Sequence, residues 1–248
     1  MKNLLYYILN FTFPKFEKNI IAILKNEKKL IVFDVGCYRG VFVKNILKII
    51  GKRKSKFFLF DINKNVKGYI SNILKMKNIN FHEVALTNQS GFAFYNYNSS
   101  FESSGSSLSS IYKNDNKWNK SRKFILKILS PSNNDKGFIK YRVKTTTLDT
   151  FILRNKVKII DILKVDVDGS EQQFLHGAKS SLKRNKIKTL LIEVSAKKSL
   201  YKNKEKKIIN FLKKRNLIFV KKSNILSVSI FSNIKSGDYF FVNKQYLV

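Results

Sequence analysis

Cysteine is nearly absent from this 248-residue chain, Cys37 being the only one. A single thiol excludes an intramolecular disulfide framework and fits a reducing, cytoplasmic setting. Long apolar runs are missing as well: none reaches the roughly 18 residues that a membrane-spanning helix requires. Acidic side chains are scarce, 16 against 49 lysines and arginines, for a formal net charge of +33. Such an excess ordinarily signals a polyanionic partner. Here the lysines are spread along the whole chain among abundant Asn, Ile and Phe. Small clusters such as Lys52–Lys56 and Lys204–Arg215 form no basic stripe interleaved with aromatic residues. The excess therefore reads as compositional, and no specific nucleic-acid partner is expected. The length suits one α/β domain with additions, large enough to bury roughly 70–75% of its unfolded surface.

What is present is organised around Leu30–Gly40, L-I-V-F-D-V-G-C-Y-R-G. A short apolar run rich in β-branched residues, ending in a glycine-punctuated turn, predicts a buried strand feeding a helix. Val41, Phe42, Ile46, Leu47 and Ile50 recur at helical spacing, and Gly51 closes the helix. Strand, turn and helix N-terminus make a nucleotide-cradling corner, in which Gly36 would let the backbone approach a ligand and Gly40 would let helix pack on strand. A dinucleotide fingerprint would place a glycine where Asp34 stands. An anion there repels a pyrophosphate and suits a cationic ligand, such as the amino group and sulfonium of S-adenosylmethionine. Twenty-one residues beyond Gly40, the strand Lys56–Phe60 ends in Asp61, whose carboxylate can accept both hydroxyls of a ribose.

Along the chain, Met1–Lys29 holds two short amphipathic pieces separated by Pro14, expected to form a helical lid on a domain running from residue 30 to 248. The apolar stretch after Lys2 is interrupted by Asn10 and Thr12 and is followed by no small-residue cleavage site, so it is not read as a signal peptide. At most it would make peripheral membrane contact. Val66–Met76 reads as a helix and Asn78–Leu86 as a third strand. Two β-like runs, Gly91–Tyr97 and Tyr141–Thr147, flank a polar insert at about 98–140. Its Ser-rich part, Asn98–Ser110, reads as a flexible loop that either folds over a cofactor or acceptor or lies untied on the surface. A short helix from Leu148, a fourth strand at Ile159–Val167, a helix over Glu171–Lys183 and a fifth strand at Thr189–Val194 follow. A lysine-rich helix to about Arg215 leads to three β runs, at Leu217–Val220, Ser227–Phe231 and Tyr239–Val242. The alternation predicts a doubly wound, mostly parallel α/β sheet with an antiparallel C-terminal edge.

The segments V-F-D-V-G-C-Y-R-G, F-L-F-D-I-N, V-A-L-T-N-Q-S-G, T-T-L-D-T-F, I-D-I-L-K-V-D-V-D-G-S-E-Q-Q-F-L-H-G-A and L-L-I-E-V resemble, in this order, those of FkbM-type methyltransferases. The resemblance covers roughly residues 30–195. It implies a class I (Rossmann-like) methyltransferase fold and transfer of a methyl group from S-adenosylmethionine to a hydroxyl, commonly on a sugar or a polyketide. Carried over by position, the cofactor residues would be Asp34, Gly36, Cys37 and Gly40 in the loop, then Asp61, Ile62 and Ala85. Cys37 is expected only to pack there. The chain departs from the family's usual residues at Asp61-Ile62 (typically Glu-Pro), Tyr38 (Asn) and Asp168 (Glu).

Methyl transfer to an alcohol needs a group that takes the hydroxyl proton. Asp166, at the carboxyl end of the fourth strand, is the first candidate, with Asp168 and Glu193 the others. Asp166 and Asp168 would project together, but no further aspartate or histidine cluster completes a metal site, and no metal is expected. Asp168 and Glu171 could equally cap the next helix, and Asp149 could begin a helix or belong to the site. His82 and His176 read as packing or surface residues. The leading reading is thus an O-methyltransferase acting on a small molecule or sugar in glycan or glycolipid biosynthesis. An RNA methyltransferase and a cofactor-binding protein without turnover are the alternatives.

Overall fold

A computed structural model describes residues 16–51, 53–99, 102–129, 137–225 and 232–247. The first amphipathic piece of the N-terminal segment and the run Ser227–Phe231 lie outside the described residues. The centre of the fold is β1 (Lys29–Val35), flanked in parallel by β2 (Lys54–Phe60) and β8 (Ile160–Val165). Leu30, Val32 and Phe33 are fully buried. Burial on both faces explains why this strand reads as an unbroken apolar run, and each such side chain contributes about 1.5–3 kcal/mol. Outward from this centre, β3 (Ile79–His82) continues the sheet parallel to β2, and β9 (Ile187–Lys197) parallel to β8. Two antiparallel strands, β11 (Ile234–Asn243) on β9 and β10 (Leu217–Ile225) on β11, close the far edge. The order β10-β11-β9-β8-β1-β2-β3 is the expected doubly wound sheet with an antiparallel C-terminal edge.

Alternate side chains of the central strands enter different cores. Phe33, Phe60 and Val165 pack with Phe151 of α6 (Leu148–Arg154), Phe174 of α7 (Glu171–Gly177), Leu182 of α8 (Lys179–Lys183) and Tyr201 of α9 (Lys198–Lys213). On the other face Leu30, Val32 and Leu59 pack with α1 (Glu17–Ile23) and with Phe42 and Ile46 of α2 (Val41–Ile50). Phe16, Ile20 and Leu24 are buried in that same core. The described part of the N-terminal segment is therefore a core layer of the domain rather than a separate cover. His82 packs beside Phe58, Phe60 and Phe151, and His176 lies on a helix face beside Phe211.

Four readings of the sequence are corrected. The helix read over Val66–Met76 is two single turns, α3 (Val66–Tyr69) and α4 (Ser71–Leu74), meeting at Ile70. The helix read over Glu171–Lys183 divides at Ala178. There the Asp149 carboxylate accepts the backbone N–H groups of Ser180 and Ser181, both at 2.8 Å, and so caps α8. Asp149 is thus a structural residue joining α6 to α8. The run Asn78–Leu86 is not one strand: β3 ends at His82, and β4 (Ala85–Leu86) enters a second sheet with β5 (Gly91–Asn98), β6 (Glu102–Ser107) and β7 (Phe138–Thr146), ordered β4-β7-β5-β6.

The Ser-rich stretch is no untied loop. Much of it is β6, paired antiparallel with β5. The insert then continues into α5 (Asn116–Leu129), anchored by Tyr112 and Trp118 on Ile234 and by the Asp115 carboxylate, which accepts the Asn233 N–H at 2.7 Å. Serine-rich sequence carries no apolar alternation, so periodicity could not reveal an edge strand made from it.

Candidate active site

The glycine turn between β1 and α2 owes its shape to protein contacts. Gly36 has a φ of +79°, and a Cβ there would lie 1.9 Å from the Asp166 carbonyl oxygen. Its small size therefore lets the turn pass beneath the end of β8, where the sequence suggested room for a ligand. Gly40, at φ +66°, would place a Cβ 2.8 Å from Ile73 Cδ1, so it admits the α4 side chain. Between them Cys37 is buried, as expected of a packing residue, and burial pushes its thiol up.

Asp61 follows β2 and is held by three backbone donors. Its Oδ2 accepts the Tyr38 N–H at 2.9 Å, while Oδ1 accepts those of Ile62 and Asn63 at 2.8 and 2.9 Å. Burial raises its carboxyl above the usual range, and these three hydrogen bonds oppose that rise. A carboxylate offers about four lone-pair sites. Three donors therefore orient this one and leave capacity for a hydroxyl. Beside it, Asn63 Nδ2 is buried with no hydrogen-bond partner among the described residues. Ala85, by contrast, belongs to β4 and the second sheet.

Asp34 meets a protein cation. It is fully buried, and Lys164 Nζ lies 3.4 Å from its Oδ1. The same ammonium reaches Asp166 Oδ2 at 3.3 Å and the Gly36 carbonyl at 3.4 Å. Burial disfavours its charge, but Asp34 and then Asp166 outweigh burial and hold Lys164 above the ordinary lysine range. A protein cation, Lys164, thus stands beside Asp34, where the sequence suggested only a ligand's cation. The signal was available: Asp166, one residue past the end of β8, is two residues from Lys164, and Lys164 is in register with Asp34 across β1–β8.

On the far side of Lys164, Asp166, Asp168 and Glu193 converge, with one carboxylate oxygen from each lying within 4.8 Å of the others. Glu193 comes from β9 and faces Asp238 across the β9–β11 pair. Burial, then Asp166, then Asp238 push its carboxyl well above the usual range. Glu193 completes the acidic group that the sequence left as a pair, and three such oxygens could chelate a hard cation. Glu171 stands apart from this group. It is fully buried, its Oε1 accepts the Gly169 and Ser195 N–H groups, and its Oε2 pairs with Lys204.

The second sheet and the insert wall the site. Tyr112 shares hydrogen bonds with Ser195 and Ser236, and burial, then Asp168 and Glu193, raise its phenol well above the usual range. Ser109 Oγ donates to the Asp168 carbonyl at 3.1 Å. On β5, the Tyr97 hydroxyl accepts from Asn65 Nδ2 at 3.2 Å, and burial followed by Asp61 raises the Tyr95 phenol above its usual range. None of these tyrosines was singled out in the sequence, because a strand pattern does not say which sheet faces the cofactor corner.

A seven-stranded, mostly parallel sheet with an antiparallel C-terminal edge and acidic residues at its strand ends defines a class I methyltransferase architecture. The chain belongs to the FkbM methyltransferase family, whose model, Methyltransferase FkbM domain, matches residues 34–219. Among solved structures it is similar to Methyltransferase FkbM from Methylobacillus flagellatus, at 11% identity and a TM-score of 0.51, over 86% of this chain and 44% of that one. Fainter likenesses are to the N-methyltransferase NodS from Bradyrhizobium japonicum (9% identity, TM-score 0.44, 92% and 93% of the two chains) and to Aeropyrum pernix fibrillarin with S-adenosyl-L-methionine bound (13%, 0.44, 87% and 67%). No curated protein matches the sequence. Among the described residues, no helix is long and apolar enough to cross a membrane.

Proposed function

We propose that the chain is an S-adenosylmethionine-dependent O-methyltransferase acting on a hydroxyl of a small molecule or sugar, in glycan or glycolipid biosynthesis. The observation that carries the reading is the pairing of two sites on either side of the end of β1: an oriented carboxylate at Asp61 and a carboxylate group at Asp166, Asp168 and Glu193. The residues fit the cofactor at its ribose end. Asp61 can accept from one ribose hydroxyl, rather than the two the sequence suggested, and the buried Asn63 Nδ2 offers a donor to the other. S-adenosylmethionine would supply an electrophilic methyl group there. Asp166 would take the acceptor's hydroxyl proton as the C–O bond forms and the methyl–sulfur bond breaks, the sulfur leaving as a neutral thioether, and Lys164 holds that carboxylate in place. Glu193, whose carboxylate oxygen lies in the same group, can hydrogen-bond the acceptor. Tyr112 and the tyrosines of β5 help exclude water from this space.

Calorimetric titration with S-adenosylmethionine tests the cofactor site. Asp61→Ala should weaken binding by about 1.5–3 kcal/mol, the range for hydrogen bonds to a charged group. Wild-type affinity in that variant would remove the ribose assignment, and tighter binding of NAD than of the methyl donor would overturn the class of reaction.

A further inference from the structure

The second sheet has a reverse side that methyl transfer does not use. In β5 and β7 side chains alternate without a register shift, so Tyr95 and Tyr97 lie on one face and Phe92, Phe94 and Asn96 on the other. That second face is aromatic and basic. Phe92 and Phe94 are 54% and 56% exposed. Arg142 lies 3.8 Å from the Phe92 ring centre and Lys140 Nζ 4.2 Å from that of Phe94. Phe92, Phe94 and Lys140 line a cavity of about 380 Å³. Asn88, Gln89 and Gln173 bring carboxamides into it, and Lys113 a second ammonium. Among the described residues no carboxylate lines it. Its wall includes Ser110, next to the Ser109 that bonds the Asp168 carbonyl, and none of Asp61, Asp166, Asp168 and Glu193 lines it.

From this lining we infer a second binding site, for an acidic saccharide. A carboxamide both donates and accepts, as a sugar hydroxyl does; a phosphodiester only accepts and would offer no donor to the Gln89 and Gln173 amide oxygens, that of Asn88 already accepting the Thr87 hydroxyl at 3.2 Å. The exposed ring of Phe94 offers a face for the C–H side of a pyranose, and Lys113 and Lys140 meet an acidic substituent. Tertiary structure thus creates the aromatic and basic interleaving that the linear sequence lacks.

The site stands apart from methyl transfer, so it is tested without methyl donor, using the full chain at about 150 mM salt to suppress long-range attraction by the +33 charge. Wild-type protein is applied to an array of uronic, sialic and phosphorylated oligosaccharides with their neutral counterparts, and titrated with a short oligouridylate. At least one acidic oligosaccharide should be retained above its neutral counterpart. Phe94→Ala and Gln173→Ala, which leave the charge unchanged, should each weaken that binding by about tenfold. Absence of retention overturns the inference, as does retention that both variants leave unchanged. Oligouridylate binding tighter than any saccharide, and lost in Phe94→Ala, would give the surface to single-stranded nucleic acid instead. Each of these outcomes leaves the Asp61 titration unaffected, so the two readings fail separately.

Discussion

Asp166→Asn is expected to lower methyl transfer by roughly 10²–10⁴-fold, the usual contribution of a positioned base. S-adenosylmethionine binding should stay near wild type in the same variant. Asparagine keeps the shape of the side chain but cannot take the acceptor's proton. The backbone that interlocks with the cofactor corner, Asp166 N–H to the Val35 carbonyl at 2.9 Å, is untouched. Lys164 retains Asp34 as a counter-ion, which limits collateral damage. Single-turnover rates measured beside calorimetric affinities separate the outcomes. Affinity and turnover falling together would make Asp166 a cofactor ligand. Turnover unchanged within a few-fold would move the proton to Glu193 or Asp168.

The second large effect concerns stability. Glu171 is fully buried, and Lys204, whose side chain is 13% exposed, is its counter-ion. The same ammonium donates to the carbonyls of Gly169 and Ser195, at 2.9 and 2.8 Å. It therefore ties α9 to the turn after β8 and to the end of β9. Lys204→Met leaves an uncompensated buried carboxylate, and breaking a buried pair in this way costs about 3–5 kcal/mol. For a chain of this size that corresponds to a fall in Tm of roughly 10 °C, measurable by differential scanning calorimetry. Adding Glu171→Leu to Lys204→Met should restore much of the loss, because the unpaired charge is then gone. A loss under about 1 kcal/mol would instead mean that the Gly169 and Ser195 N–H groups suffice to hold Glu171.

These two acidic residues show where sequence reading stops. Asp166 and Glu171 lie in one short motif, and the sequence made Asp166 the first candidate for the base and Glu171 a possible helix cap. The structure gives them different work because Glu171 meets a lysine 33 positions further on, whereas Asp166 faces Asp168 and Glu193. Asp149, open between cap and site in the sequence, became a cap for a helix about thirty residues away.

By itself, the sequence determined the doubly wound sheet, the glycine corner and the positions of Asp34, Asp61 and Asp166. These follow from apolar runs, glycine spacing and strand ends, all of which act over a few residues. Only the tertiary structure decided that Asp34 is neutralised by Lys164, that Glu193 joins Asp166 and Asp168, and that a Ser-rich stretch pairs as β6. It also decided that Phe92 and Phe94 meet Arg142 and Lys140 across two strands about fifty residues apart in the chain. Charge pairing, carboxylate clustering and edge-strand pairing depend on which segments become neighbours, and that is set by packing over the whole sheet rather than by local pattern.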